Sequence, residues 1–403
     1  MSGGGEMIVQ FSMKNIRSFK DEAVLYMSSI PAYKEHPYNL MELPSGDKML
    51  RVAAIYGANA SGKSNLYLGM RIFQDIVVQS MNAVGNVENK ILEQCYQPFA
   101  FEYDSGNSEF QIVLSDDEAE YTYGFEFNSR QIVSEWLYKK DYTYNRVSTI
   151  LERDHQSIAI GASIRRECDK YKDQIPEDSL ALTFFGRLAL KTPVFLKVFE
   201  MIFKMMISDT NFYEHKDVME KYLPKAIDEN KEGLLNFLSA IDTGIKDISY
   251  ETIDKRKVFY TYHIGKDGKK YPINLDNESA GTRKSIMVYI IAWFVIAENG
   301  VMVVDELSAR LHPLLLKFIV DLFYDEKSKA QLIYTTHDTT LMDKKFFRRD
   351  QIWFVQKDDD GYSSLSALSD FKVRSDASFE KDYLSGVYGG IPMLKEFSMK
   401  TGE

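Results

Sequence analysis

Hydrophobic and polar positions change their period along this chain, and the changes divide it. Residues 7–11 alternate in the strand manner, and residues 51–55 form a short apolar run that stops at a glycine-rich loop, so a strand, a loop and a helix are expected there. From residue 99 to about 154 the chain is rich in Tyr, Phe, Val and Thr, with alternation over 109–114 and 121–127, which predicts antiparallel strands. Between about 155 and 242 the period becomes helical: Phe195, Val198, Phe199, Ile202, Phe203 and Met206 share one stripe while Lys197, Glu200 and Lys204 face away. That stripe reads as core. Residues 258–262 followed by Lys266-Asp-Gly-Lys269 predict a hairpin. Helix and strand then alternate, with helices over 282–297 and 313–324 and strands over 301–304 and 331–334, the pattern of a parallel α/β sheet. A hairpin from 351–355 around Asp360-Gly361 precedes a tail containing Gly386, Gly389 and Gly390. The expected fold is α/β with three parts: residues 7–154, a helical insert over 155–242, and residues 243–403.

Composition narrows the class. The 403 residues are 45% hydrophobic and 27% charged, which excludes disorder and fibrous repeats. A net charge of −10 argues against an overall electrostatic footprint for nucleic acid, although a local basic groove is compatible with it. Basic clusters stand at Arg165-Arg166, Lys255-Arg256-Lys257, Lys269-Lys270, Lys344-Lys345 and Arg348-Arg349, most of them expected to be solvated faces. Two cysteines, Cys95 and Cys168, lie far apart and form no CxxC pair, so a reduced, cytoplasmic protein is expected. The glycine-rich start, Met1-Ser2-Gly3-Gly4-Gly5-Glu6, lacks the features of a signal peptide. The longest apolar run, 286–297, falls short of the roughly 20 residues of a membrane span and reads as a buried helix.

Three short segments carry chemistry. Gly57-Ala-Asn-Ala-Ser-Gly-Lys-Ser64 matches GxxxxGK[ST] between an apolar strand and a helix, as a P-loop requires. Its glycines let successive N–H groups point at phosphate, so Gly57, Asn59, Ala60, Ser61, Gly62, Lys63, Ser64 and Asn65 are expected to bind ATP, with Lys63 on the terminal phosphates and Ser64 on Mg²⁺. Residues 301–304 deliver Asp305 and Glu306 at the carboxyl end of a strand, where ligands of open α/β sheets sit. Asp305 is expected to hold Mg²⁺ and Glu306 to act as general base. Ser279-Ala-Gly281 opens a helix and leaves N–H groups for an anion, and His337 ends the next strand, where it would meet the γ-phosphate or the attacking water.

The succession of P-loop, long insert, Ser279/Gly281 helix, Asp305-Glu306 strand and His337 strand resembles the ATP-binding-cassette class of ATPases, as in SMC and OLD proteins. The resemblance implies a P-loop ATPase head, with its halves in 7–154 and 243–403, that binds ATP and Mg²⁺. It also implies homodimerisation, Ser279 and Gly281 closing the nucleotide held by the opposite subunit. Asn15-Ile-Arg17-Ser-Phe19, Leu311-His312-Pro313, Thr336-His337-Asp338, the segment 350–354 and the segment 383–392 further resemble the RloA/AbiL-type AAA ATPases of bacterial anti-phage defence, relatives of the OLD ATPases and of the PARIS ATPase. That likeness implies a homodimer or higher oligomer, a separately encoded effector such as a nuclease or another toxin, and a phage-derived trigger. One departure is visible: Ser308-Ala-Arg310 stands where these families commonly carry another acid. Gln97 reads either as a Mg²⁺-sensing glutamine or as a loop residue. The stretch after His337 is too short for a Toprim nuclease, and the insert is too short for a long coiled coil. A RecF/SMC-like repair ATPase with DNA across its heads is the alternative reading; a transporter ATPase fits poorly, because the signature is ESAGT.

Overall fold

The computed structural model describes residues 5–81, 90–102, 106–209, 211, 214–374, 377–389 and 391. The start of the glycine-rich leader, residues 1–4, and Gly390 and Pro392 of the tail lie outside the described residues.

The chain opens with β1 (Met7–Lys14), β2 (Ala23–Tyr26), the small hairpin β3 (Leu40–Glu42) and β4 (Lys48–Leu50), then β5 (Val52–Tyr56), α1 (Lys63–Gln79) and α2 (Ile91–Cys95). Next come β6 (Ser108–Ser115), β7 (Ala119–Phe127), β8 (Ile132–Asp141), β9 (Arg146–Asp154) and β10 (Ser157–Ile160). They form a meander that β1 and β2 extend into a seven-stranded antiparallel sheet, ordered β10-β9-β8-β7-β6-β1-β2. Alternation explains its one-sided packing: Phe110, Ile112 and Leu114 of β6 and Tyr121, Tyr123, Phe125 and Phe127 of β7 are all buried. Phe73 of α1 enters this face, stacked on Phe125 at 5.7 Å and edge-on to Phe110 at 5.7 Å.

α3 (Arg165–Cys168), α4 (Ala181–Gly186), α5 (Val194–Phe203), β11 (Met206–Ser208) and α6 (Lys216–Ala240) follow, then a separate antiparallel sheet of β12 (Asp247–Ile253), β13 (Arg256–Ile264) and β14 (Lys270–Asn274). The chain continues through α7 (Ala280–Ala297), β15 (Val301–Val304), α8 (Pro313–Leu322), β16 (Gln331–Thr335), β17 (Ile352–Lys357), β18 (Ser363–Ala367) and α9 (Phe379–Leu384). Six strands build the central sheet, ordered β11-β15-β16-β5-β17-β18, parallel except for β18. Its strands are apolar on both faces because both are covered. Ala53, Ile55, Val301, Val303, Ile333, Trp353 and Val355 pack with α1 and the antiparallel sheet. Val52, Ala54, Tyr56, Met302, Val304, Leu332, Tyr334, Ile352 and Phe354 pack with α6, α7 and α8. In α7, Ile286, Met287, Val288, Ile290 and Ile291 are fully buried, as in a core helix.

Two strands fall in the 155–242 segment, where helical periodicity alone is expected. β10 completes the antiparallel sheet by pairing with β9. The apolar stripe that includes Met206 is interrupted: α5 ends at Phe203, and Met206 instead starts β11, opposite Met302 on the edge of the central sheet. Three apolar residues after a helix carry no period of their own, and the open edge of β15 decides their conformation.

Candidate nucleotide-binding site

The loop between β5 and α1 is shaped as a cradle. Gly62 caps α1 at φ 114, a conformation that L side chains avoid, and a Cβ there would press on the Ser363 hydroxyl. A Cβ on Gly57 would come within 2.5 Å of the Val355 carbonyl and 2.6 Å of Ser61 Oγ. Asn59 and Ala60 are exposed at the crest, Ala60 at φ 63. The buried Lys63 donates from Nζ to the carbonyls of Gly57 (2.8 Å) and Ala58 (2.9 Å). Burial pushes its pKa down to about 8, against the opposing pull of Glu306 and then Asp305. Among the described residues Ser61 Oγ is buried with no hydrogen-bond partner. An orphaned hydroxyl and an ammonium tied only to neutral carbonyls both fit an incoming phosphate. Ser64 is exposed at the start of α1.

Asn65 is committed differently. Its N–H donates to Gly62 O, and its side chain donates to Ser18 Oγ at 2.7 Å and accepts from Arg17 Nη1 at 3.4 Å. Ser18 and Arg17 belong to a tight turn in which Arg17 takes φ 51. Ser363 of β18 completes the brace, its hydroxyl donating to Ser61 O at 2.6 Å and lying 2.7 Å from Ser18 Oγ. Arg17 Nε also donates to Gln97 Oε1 at 2.7 Å, so the Gln97 side chain is held by this network. Arg17, Ser18 and Ser363 carried no assigned role at the sequence level; Arg17-Ser18 lay inside a noted motif, whereas nothing local singles out Ser363.

Asp305 and Glu306 leave β15 beside the cradle. Thr335 Oγ1 donates to Asp305 Oδ1 at 2.6 Å and also lies 2.7 Å from the Glu306 amide, so the end of β16 orients both acids. Glu306 adopts φ 48, off the strand path, and its Oε1 stands 3.4 Å from His337 Nε2. Ser64, exposed at the start of α1, and Asp305, at the end of β15, could offer oxygen donors to Mg²⁺. Among the described residues no group of three or more His, Cys, Asp or Glu could hold a metal.

The Ser279 hydroxyl caps α7, accepting from the Thr282 amide at 3.0 Å, and Ser279 is exposed. Gly281 lies under the Arg310 carbonyl, which a Cβ would meet at 3.2 Å. Among the described residues no hydrogen bond or ion pair joins residues 279–281 to residues 57–65 of the same chain. Lys284, one turn into α7, is fully buried, with Nζ 3.3 Å from the Glu306 carbonyl. Burial lowers its pKa to about 8, opposed by Glu306 and Asp305 and reinforced by Arg310. Lys284 stands in the segment that opens this helix but has no role legible in the sequence, since only folding brings α7 to β15.

The basic clusters are dispersed. Lys255-Arg256 and Lys269-Lys270 mark opposite ends of β13, whose 9 residues span roughly 30 Å. Arg348 is buried on Asp350, with Nη2 to Oδ2 at 2.7 Å, a core pair rather than a solvated face.

Residues 52–171 and 202–343 match the family described as "AAA domain, putative AbiEii toxin, Type IV TA system". Among solved structures, the chain is similar to a Smc head bound to the C-winged helix domain of ScpA, with 14% identity, TM-score 0.43, and 93% of this chain and 99% of that chain covered. It is also similar to the SMC head domain from Thermotoga maritima, with 13% identity, TM-score 0.41, and 89% and 98% covered. A third is an Smc head with an extended coiled coil bound to the C-terminal domain of ScpA, derived from Pyrococcus furiosus, with 13% identity, TM-score 0.45, and 95% and 100% covered. No curated protein matches the sequence.

Proposed function

The chain belongs to the AAA-domain family of the AbiEii, type IV toxin–antitoxin description, and from that premise we propose that it hydrolyses ATP as a dimeric switch governing a separately encoded effector in anti-phage defence. The observation that carries this reading is the carbonyl-tied, buried Lys63 standing within electrostatic reach of Glu306 and Asp305 at one end of a parallel sheet. On this reading residues 57–65 wrap the triphosphate, and Lys63 exchanges two neutral carbonyls for the β- and γ-phosphates. Ser64 and Asp305 hold Mg²⁺, which supplies neutralising charge when bound. Glu306 takes the proton of the attacking water, with His337 orienting its carboxylate.

Closure would come from a second copy, whose Ser279, Gly281 and α7 N-terminus meet the γ-phosphate. The exposure of Ser279 supports that arrangement. Residues 7–154 and 243–403 then act as the two halves of the head and 155–242 as an inserted lobe. The toxin–antitoxin wording of the family supports a separately encoded effector as partner, and a cytoplasmic location and a phage-derived trigger belong to the same proposal.

Glu306→Gln tests the chemistry. It is expected to bind ATP and accumulate as a dimer by size-exclusion chromatography while turnover falls about 10²- to 10⁴-fold. Undiminished turnover would remove Glu306 as the base.

A further inference from the structure

We propose that Arg310 acts in trans, its guanidinium binding the γ-phosphate held on the P-loop of a second copy. The inference rests on the dimeric reading above and adds to it a residue that no motif assigns. After β15 the chain makes two tight turns, Ala309 N–H to Glu306 O at 3.0 Å and Leu311 N–H to Ser308 O at 3.0 Å. They hold Glu306 at φ 48 and Arg310 at φ 60. Two non-glycine residues in the left-handed region, four apart, are costly, and such residues cluster at functional sites. One of them is the acid assigned as base.

The second turn places Arg310 on the surface that offers Ser279 and Gly281. Its carbonyl lies against Gly281, which has no Cβ to obstruct it. Its side chain is 55% exposed, with Nη1 3.4 Å from Oε1 of Glu214, itself 47% exposed. An ion pair so accessible to water is weak, and a more highly charged anion can displace the carboxylate. The N-terminus of α7, Lys284 and Arg310 bring positive potential together, and Arg310 acts on Lys284. The acids facing this pair of cations are Glu214, Glu306 and Asp305, while Glu278, next to Ser279 in the chain, is engaged by His263 Nε2 at 2.8 Å and by Thr261. Its action on Lys284 and the contact of its carbonyl with Gly281 place Arg310 beside the first turn of α7. A polyanion presented by another molecule completes this arrangement.

Arg310 makes and breaks no covalent bond. Water oxygen adds to the γ-phosphorus as the bond to the β–γ bridging oxygen breaks, the water proton passes to Glu306, and ADP and phosphate leave. The planar guanidinium stabilises charge spread over the equatorial oxygens, a contribution that an arginine supplied in trans makes worth about 10³- to 10⁵-fold in other phosphoryl-transfer enzymes.

The test uses the full chain with Mg-ATP. Arg310→Asn, which tolerates the left-handed backbone, is expected to lower turnover by about 10²-fold or more. Arg310→Lys, which keeps the stem and charge but not the fork, should lower it less. Either variant mixed with Lys63→Ala subunits should recover turnover, because the heterodimer then contains one site with Lys63 from one copy and Arg310 from the other. Full turnover in Arg310→Asn overturns the proposal. So does failure of both mixtures while Ser279→Arg with Lys63→Ala recovers, an outcome that leaves the dimer standing. If that Ser279 mixture fails as well, the dimeric reading has fallen and the role of Arg310 with it.

Discussion

At the scale of single residues, the site is a set of charges placed in advance of their ligand. Lys63 is buried with only carbonyl oxygens as hydrogen-bond acceptors, and its pKa falls to about 8. A bound triphosphate reverses that penalty by favouring the ammonium form. The sign follows: below about pH 8 the lysine is already charged, whereas between about 8 and the ordinary lysine value of 10.5 the nucleotide-free chain lacks the proton that the complex holds. ATP binding at pH 9 should therefore take up protons and weaken as pH rises. Calorimetry in buffers of different ionisation enthalpy reads the uptake, and Lys63→Ala should abolish it together with most of the affinity. The same shift bears on folding. A depressed lysine penalises the native state below about pH 8, and the penalty is relieved as pH climbs towards 10.5. The P-loop residues, Asp305 and Glu306 were legible because the chemistry imposes their spacing within one short segment. Thr335, Lys284, Arg17 and Ser363 were not, because each acts through a neighbour that is distant in sequence.

At the scale of elements, the two sheets were readable to different degrees. β15 and β16 are continuous apolar runs bounded by turns, and β6 and β7 alternate cleanly, so period alone identifies them. β11 has three residues and owes its conformation to the edge of β15. β1 alternates like any strand, but nothing local announces that it pairs with β6 a hundred residues on. α6 runs through Pro224 and a non-helical Asn230, which breaks the stripe that would reveal it. α1 connects both layers: its first turn follows the cradle at the end of β5, and Phe73 packs into the antiparallel sheet against Phe110 and Phe125. Phe73→Ala should cost about 3 to 5 kcal/mol in urea unfolding, as for large aromatic truncations in a core. A loss under 1 kcal/mol would mean that the two layers do not depend on this contact.

At the scale of the whole molecule, the account stands on a site divided between two copies. Dispersed basic clusters and a net charge of −10 give little support to DNA lying across the heads. The exposed tip of α7 has no bond to the loop of its own chain among the described residues. Complementation measures this division most directly. Ser279→Arg and Lys63→Ala chains, each inactive alone, are mixed, and ATP turnover is followed against the ratio of the two. The account predicts recovery that peaks near equal amounts, at up to about a quarter of the wild-type rate per chain, since about half of randomly assorted dimers hold one intact site of two. Turnover that stays at the level of the separate variants, with heterodimers present by mass spectrometry, would contradict it.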